Sequence, residues 1–95
     1  MQLKTGVTTM PTMIIDVREP FEYAIGHVTG SLNLPPAALM AGAKALDSVP
    51  KDTQLVLYCR TGSRSNASAH YLKQMGFTNV VNGINQAHVE KNYLK

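Results

Sequence analysis

Tryptophan is absent from this 95-residue chain, and cysteine occurs once, as Cys59. A lone cysteine excludes an intramolecular disulfide and a zinc cluster built on several thiolates, so a stapled secreted scaffold is ruled out. Charge is scarce as well: 16% of residues are charged, and nine basic against six acidic side chains leave a net +3. That surplus falls well short of the Lys/Arg stripe of a nucleic-acid footprint. No apolar run approaches the ~20 residues that a membrane-crossing helix needs. The first 13 residues hold one lysine and no apolar stretch of signal-peptide length. Three histidines without close pairing offer no metal-ligand spacing. The expectation is a soluble chain of a reducing compartment, the cytoplasm, with no nucleic-acid, membrane or metal partner.

What is present suits one small globular domain over residues 1–95, since 44% apolar content is enough for one modest core. Four short β-type runs stand out: Met13 to Val17, Leu32 to Leu34, Gln54 to Tyr58 and Asn79 to Val81. The first and third are almost continuously apolar, as strands covered on both faces are. Helical patterns lie between them. Pro36 to Asp47 opens on a proline suited to a first helical position and places Leu39, Ala43 and Leu46 at i, i+4 and i+7. Ser63 to Met75 puts Ser65, Ala69 and Leu72 on one face and stops at Gly76-Phe77. A short helical turn is expected over Pro20 to Ala24, and a weakly patterned helix after Ile84. This alternation predicts a small α/β domain with a mainly parallel sheet flanked by helices. Such sheets bind ligands beyond the carboxyl ends of their strands, and Cys59 stands at one of those ends.

The segment Tyr58-Cys59-Arg60-Thr61-Gly62-Ser63-Arg64-Ser65 joins a buried strand to a helix. Its turn leaves backbone N–H groups unpaired, and Gly62 lets them curl into a nest that attracts an anion. A cysteine at the rim of that nest is expected to ionise readily and act as a nucleophile. Two of the three arginines, Arg60 and Arg64, lie within five residues of it, with forked donors suited to a sulfonate or phosphate. Against this stands the blander use of a lone cysteine as a small buried hydrophobe. The strand end, the glycine turn and the flanking arginines favour the reactive reading. Ser63 and Ser65 are expected as helix N-caps.

Together with Ile14-Ile15-Asp16-Val17-Arg18-Glu19-Pro20-Phe21-Glu22-Tyr23, Gly26-His27-Val28 and Gly30-Ser31-Leu32-Asn33-Leu34-Pro35, this loop resembles the signature of the rhodanese family of sulfurtransferases. Gly76-Phe77-Thr78-Asn79-Val80 resembles the segment after the family's next helix, and the resemblance runs from about Met13 to Gly83. It implies a Cys59 persulfide that takes sulfur from thiosulfate or a similar small anionic donor and yields it to cyanide, a thiol or a protein acceptor. Arg60, Thr61, Gly62, Ser63 and Arg64 would then bind the anion, and no cofactor or metal would be needed. Asp16 and Arg18 would serve as structural support of the loop, Glu22 and Tyr23 would have no catalytic role, and His27 would be a turn element. The competing reading is a non-catalytic rhodanese-like module that binds a partner or senses oxidants through Cys59. Cysteine phosphatases follow a similar logic but use a loop one residue longer than the Cys-x4-Arg found here. Two features depart from the family pattern. A reduced first strand is expected at Lys4 to Val7, and Asn82-Gly83-Ile84 replaces the usual Gly-Gly pair near the pocket wall.

Overall fold

A computed structural model describes residues 11–94. Its central sheet has four strands, β1 (Thr12–Asp16), β2 (Leu32–Asn33), β3 (Gln54–Cys59) and β4 (Val80–Asn85), in the order β2-β1-β3-β4. All three pairings are parallel, with Ile15 opposite Leu57 and Asp16 opposite Asn33. The helices are α1 (Pro20–Ile25), α2 (Pro36–Met40), α3 (Ser63–Gln74) and α4 (Gln86–Asn92), with a 3₁₀ turn at Lys44–Leu46. The expected α/β class and parallel sheet are thus what the chain forms. The strand expected at Lys4 to Val7 lies outside the described residues.

The continuous apolar runs have the anticipated cause, since both faces of the sheet are covered. Ile15, Leu55, Leu57 and Cys59 face one cluster with Leu39, Ala69 and Leu72. Ile14, Val56 and Tyr58 face the other, with Val28 and Val89. Alternation along β3 therefore turns Cys59 toward the side carrying α3, and the chain then enters α3 within four residues.

Several boundaries differ from the expected ones, each for a physical reason. The helix expected over Pro36 to Asp47 stops at Met40 because Gly42 (φ +108°) and Ala43 (φ +50°) take left-handed backbone. Leu39, Ala43 and Leu46 are all buried nonetheless, now through a helix, a turn and a 3₁₀ segment. β4 runs past the predicted Val81 to Asn85, because the β3–β4 register slips between Leu57 and Tyr58 and leaves Gly83 unmatched. A Cβ on Gly83 would lie 2.7 Å from Val89 Cγ2, 2.8 Å from Val56 Cγ1 and 3.0 Å from the Leu57 carbonyl oxygen. Only glycine fits the bulge. At the far end of α3 the predicted stop is in place: Gly76 (φ +103°) lets the Phe77 N–H donate to the Leu72 carbonyl at 3.1 Å.

Candidate active site

Gly62, in left-handed backbone at φ +96°, is the residue on which the Cys59 loop turns. Its N–H donates to Cys59 Sγ at 3.1 Å, and the Ser65 hydroxyl lies 3.5 Å from the same sulfur. Cys59 is only 2% exposed. Burial alone would push the thiol up, but the Ser65 hydroxyl and the backbone N–H groups of Ser65, Gly62 and Thr61 outweigh it and bring the pKa down to about 7. A substantial share of the sulfur is then thiolate at neutral pH, the nucleophilic form.

The expected N-caps are not used as such. Gly62 caps α3 with no side-chain bond, Ser63 is the exposed first helical residue, and Ser65 is fully buried beneath the loop. The reason is the shape of the turn. Gly62 takes the capping position because only its backbone reaches that conformation easily, and Ser65 points inward, donating to Asn82 Oδ1 at 2.6 Å. The Asn82 Nδ2 in turn donates to the Gly62 carbonyl at 3.0 Å.

The arginines have separate environments. Arg64 is held in a two-pronged ion pair by Glu22 of α1, at 2.7 and 3.1 Å. Those bonds from Arg64, with a further one from the Glu19 N–H, hold the Glu22 carboxyl down at about 2. Arg60 is exposed and has no ion-pair partner among the described residues. It borders a cleft of about 270 Å³ shared with Arg18, Phe21, Ile25 and Gln86. Thr61 is exposed at the tip of the loop.

Asp16 is completely buried and accepts from the Arg18 N–H at 2.8 Å and from its guanidinium at 2.7 to 3.1 Å. Arg18 also donates to the Gly26 carbonyl at 2.6 Å, and Asn33 Nδ2 donates to the carbonyls of Asp16 and Arg18. These bonds tie the end of β1 to the Gly26 turn and to β2. On the face of β3 opposite Cys59, the Tyr58 ring lies 5.5 Å from the Arg18 guanidinium carbon. His27 stacks on Tyr23 at 3.6 Å between ring centroids, with Nδ1 2.8 Å from the Tyr23 carbonyl. No helix among the described residues is long and apolar enough to cross a membrane.

Two residues of this site escaped the sequence reading. Glu22 meets Arg64 across 42 positions, and no local pattern announces that pairing. Asn82 did carry a signal, since it stands where the resembled family has glycine, but its bond to Gly62 spans 20 positions.

A sequence profile for the rhodanese-like domain matches residues 2–85. The chain belongs to the rhodanese-like family. It is 35% identical over 74 residues to a sulfurtransferase of Allochromatium vinosum, covering 78% of this chain and 66% of that one. To the thiosulfate sulfurtransferase GlpE of Pseudomonas paraeruginosa it is 34% identical over 67 residues, covering 70% and 58%. This rhodanese-like chain therefore spans about three fifths to two thirds of the length of those curated relatives. Among solved structures it is similar to a rhodanese with anions from E. coli, with a TM-score of 0.72, 30% identity and coverage of 81% and 89%. The human single-domain sulfurtransferase TSTD1 matches with a TM-score of 0.65 and 26% identity over 85% of this chain and 83% of that one.

Proposed function

We propose that this rhodanese-like domain is a sulfurtransferase that carries sulfane sulfur on Cys59. The observation that carries the reading is one sulfur atom at a strand end, receiving the Gly62 N–H at 3.1 Å with the Ser65 hydroxyl 3.5 Å away. In the first half-reaction the Cys59 thiolate attacks the outer sulfur of thiosulfate. A new S–S bond forms to Cys59, the donor's S–S bond breaks, and its electron pair leaves with sulfite. The product is an anionic persulfide, which the N–H groups of Thr61, Gly62 and Ser65 would stabilise as a preorganised nest. In the second, cyanide or a thiolate attacks the outer sulfur, and the electron pair of the breaking bond returns to Cys59. Charge and atoms balance in both halves, and the split into two steps predicts ping-pong kinetics.

The exposed Arg60 favours an anionic donor, and its guanidinium would hold the sulfonate end. Arg64, already paired with Glu22, would contribute geometry more than free charge. Thr61 and Ser63 would complete the rim as exposed hydroxyls. A reducing compartment such as the cytoplasm would keep Cys59 as a thiol and supply thiol acceptors.

Incubation with thiosulfate, followed by intact mass measurement, should add one sulfur atom to the protein, and Cys59→Ser should take up none. Kinetics with thiosulfate and with 3-mercaptopyruvate, each against cyanide, would then rank the donors. Absence of sulfur uptake from either donor would overturn the catalytic reading in favour of a binding or redox-sensing module.

A further inference from the structure

The carboxamide of Asn82 has a fixed orientation. Its Nδ2 faces the Gly62 carbonyl at 3.0 Å, which can only accept, and its Oδ1 faces the Ile84 N–H at 3.0 Å, which can only donate. A flipped amide would lose both bonds. Oδ1 is therefore the atom 2.6 Å from Ser65 Oγ, and an amide oxygen has no proton to offer. Ser65 must be the donor. A serine hydroxyl has a single proton, so with that proton directed at Asn82 it presents only lone pairs to Cys59 Sγ, 3.5 Å away.

That arrangement suits a protonated thiol, whose S–H can point at Ser65 Oγ. A thiolate would receive nothing from Ser65 so placed and would depend on the backbone N–H groups of the loop, with Gly62 at 3.1 Å. For Ser65 to join those donors its hydroxyl would have to turn from Asn82 to the sulfur, while Asn82 Oδ1 would keep its bond from Ile84. The charged groups around the loop are Arg60, the Arg64–Glu22 pair with Glu19 beside it, and the Asp16–Arg18 pair at the end of β1. From β4 the sulfur's surroundings receive Asn82, which does not titrate.

We propose that Asn82 is a positioning residue that competes with Cys59 for the Ser65 hydroxyl proton, making that proton a two-position switch between the resting thiol and the ionised nucleophile. The proposal rests on Cys59 being the reactive sulfur of the transfer described above. Its tests read the thiol directly and require no sulfur donor, so a failure of sulfur transfer and a failure of this assignment remain distinguishable.

The test is a cycle of alkylation midpoints, from iodoacetamide rate against pH, for the parent, Ser65→Ala, Asn82→Ala and the double variant. In the parent, removing Ser65 should raise the midpoint by well under one unit, because the hydroxyl gives up Asn82 to serve the sulfur. Without Asn82 the proton belongs to the sulfur alone, so removing Ser65 there should raise the midpoint by about one unit, the worth of a charge-assisted hydrogen bond. Equal shifts in the two backgrounds would overturn the proposal and leave Asn82 as a brace of the loop only. A second measurement leaves Asn82 in place. The side-chain carbonyl carbon of Asn82, followed by NMR, should shift with the Cys59 midpoint in the parent and not in Ser65→Ala. A carbonyl that ignores the titration, or that follows it equally in both proteins, would refute the switch even if Asn82→Ala does not fold.

Discussion

Replacing Gly62 with alanine would test how backbone shape controls the sulfur. At φ +96° this residue aims its N–H at Cys59 Sγ from 3.1 Å. A methyl group there would stand 3.3 Å from Ile84 Cγ2 and 3.5 Å from Ile84 Cα. Left-handed backbone destabilises an L-residue by about 1–2 kcal/mol, and the contact with Ile84 leaves the methyl little room. Relaxing that strain means rotating the peptide, which swings the N–H off the sulfur. A hydrogen bond to a charged group contributes about 1.5–3 kcal/mol, so losing most of one should raise the thiol by about one pH unit. Starting from about 7, the alkylation midpoint would move to about 8. At about pH 7 the thiolate fraction then drops from about one half to about one tenth, and iodoacetamide should react about fivefold more slowly. At about pH 9.5 both proteins are mostly thiolate, and their rates should converge. Any strain not relaxed would appear instead as a melting temperature lower by about 4–8 °C for each kcal/mol. A midpoint still at about 7 together with an unchanged melting temperature would refute the argument that Gly62 holds the nest.

Two further perturbations test the surroundings of the loop. Because Glu22 titrates at about 2 in the folded chain against 4.5 for a free carboxyl, its stabilisation is complete above about pH 4.5 and is lost as pH falls toward 2. The Arg64 side chain is 35% exposed, so screening limits the pair to on the order of 1 kcal/mol. Glu22→Gln should flatten that acid limb in urea titrations repeated across pH, and an unchanged slope would refute the pairing. Gly83→Ala should destabilise by about 1–3 kcal/mol, the usual effect of an added methyl in a filled core, read as a lower melting temperature. Adding Val89→Ala should restore only part of it, because the Leu57 carbonyl at 3.0 Å belongs to the backbone; full restoration would contradict that reasoning.

The parts of this protein legible in its sequence are those written in short-range pattern. β3 announces itself as an apolar run ending in Cys59, and α3 by the spacing of Ser65, Ala69 and Leu72, all of them buried. Gly76-Phe77 marks the helix stop because the motif lies within a few residues of chain. The break after Met40 was hidden because Leu39, Ala43 and Leu46 keep a helical spacing while Gly42 and Ala43 leave helical backbone. The slip at Gly83 depends on how β4 meets β3, and the Glu22–Arg64 pair depends on where α1 docks. Neither is a local property. Ser65 shows the limit most clearly: its hydroxyl suited a cap by position, yet the inward turn at Gly62 delivers it to Asn82.

The near-complete enclosure of Cys59, at 2% exposed, bears on which molecules can reach it. To reach an atom so recessed, a donor would have to be slender enough to present its terminal sulfur end-on. In the proposed transfer the sulfur taken up would sit one bond farther out than Sγ, nearer to an acceptor than the cysteine itself. The protein's own sulfur would be shielded from bulky oxidants while its cargo stood at the threshold.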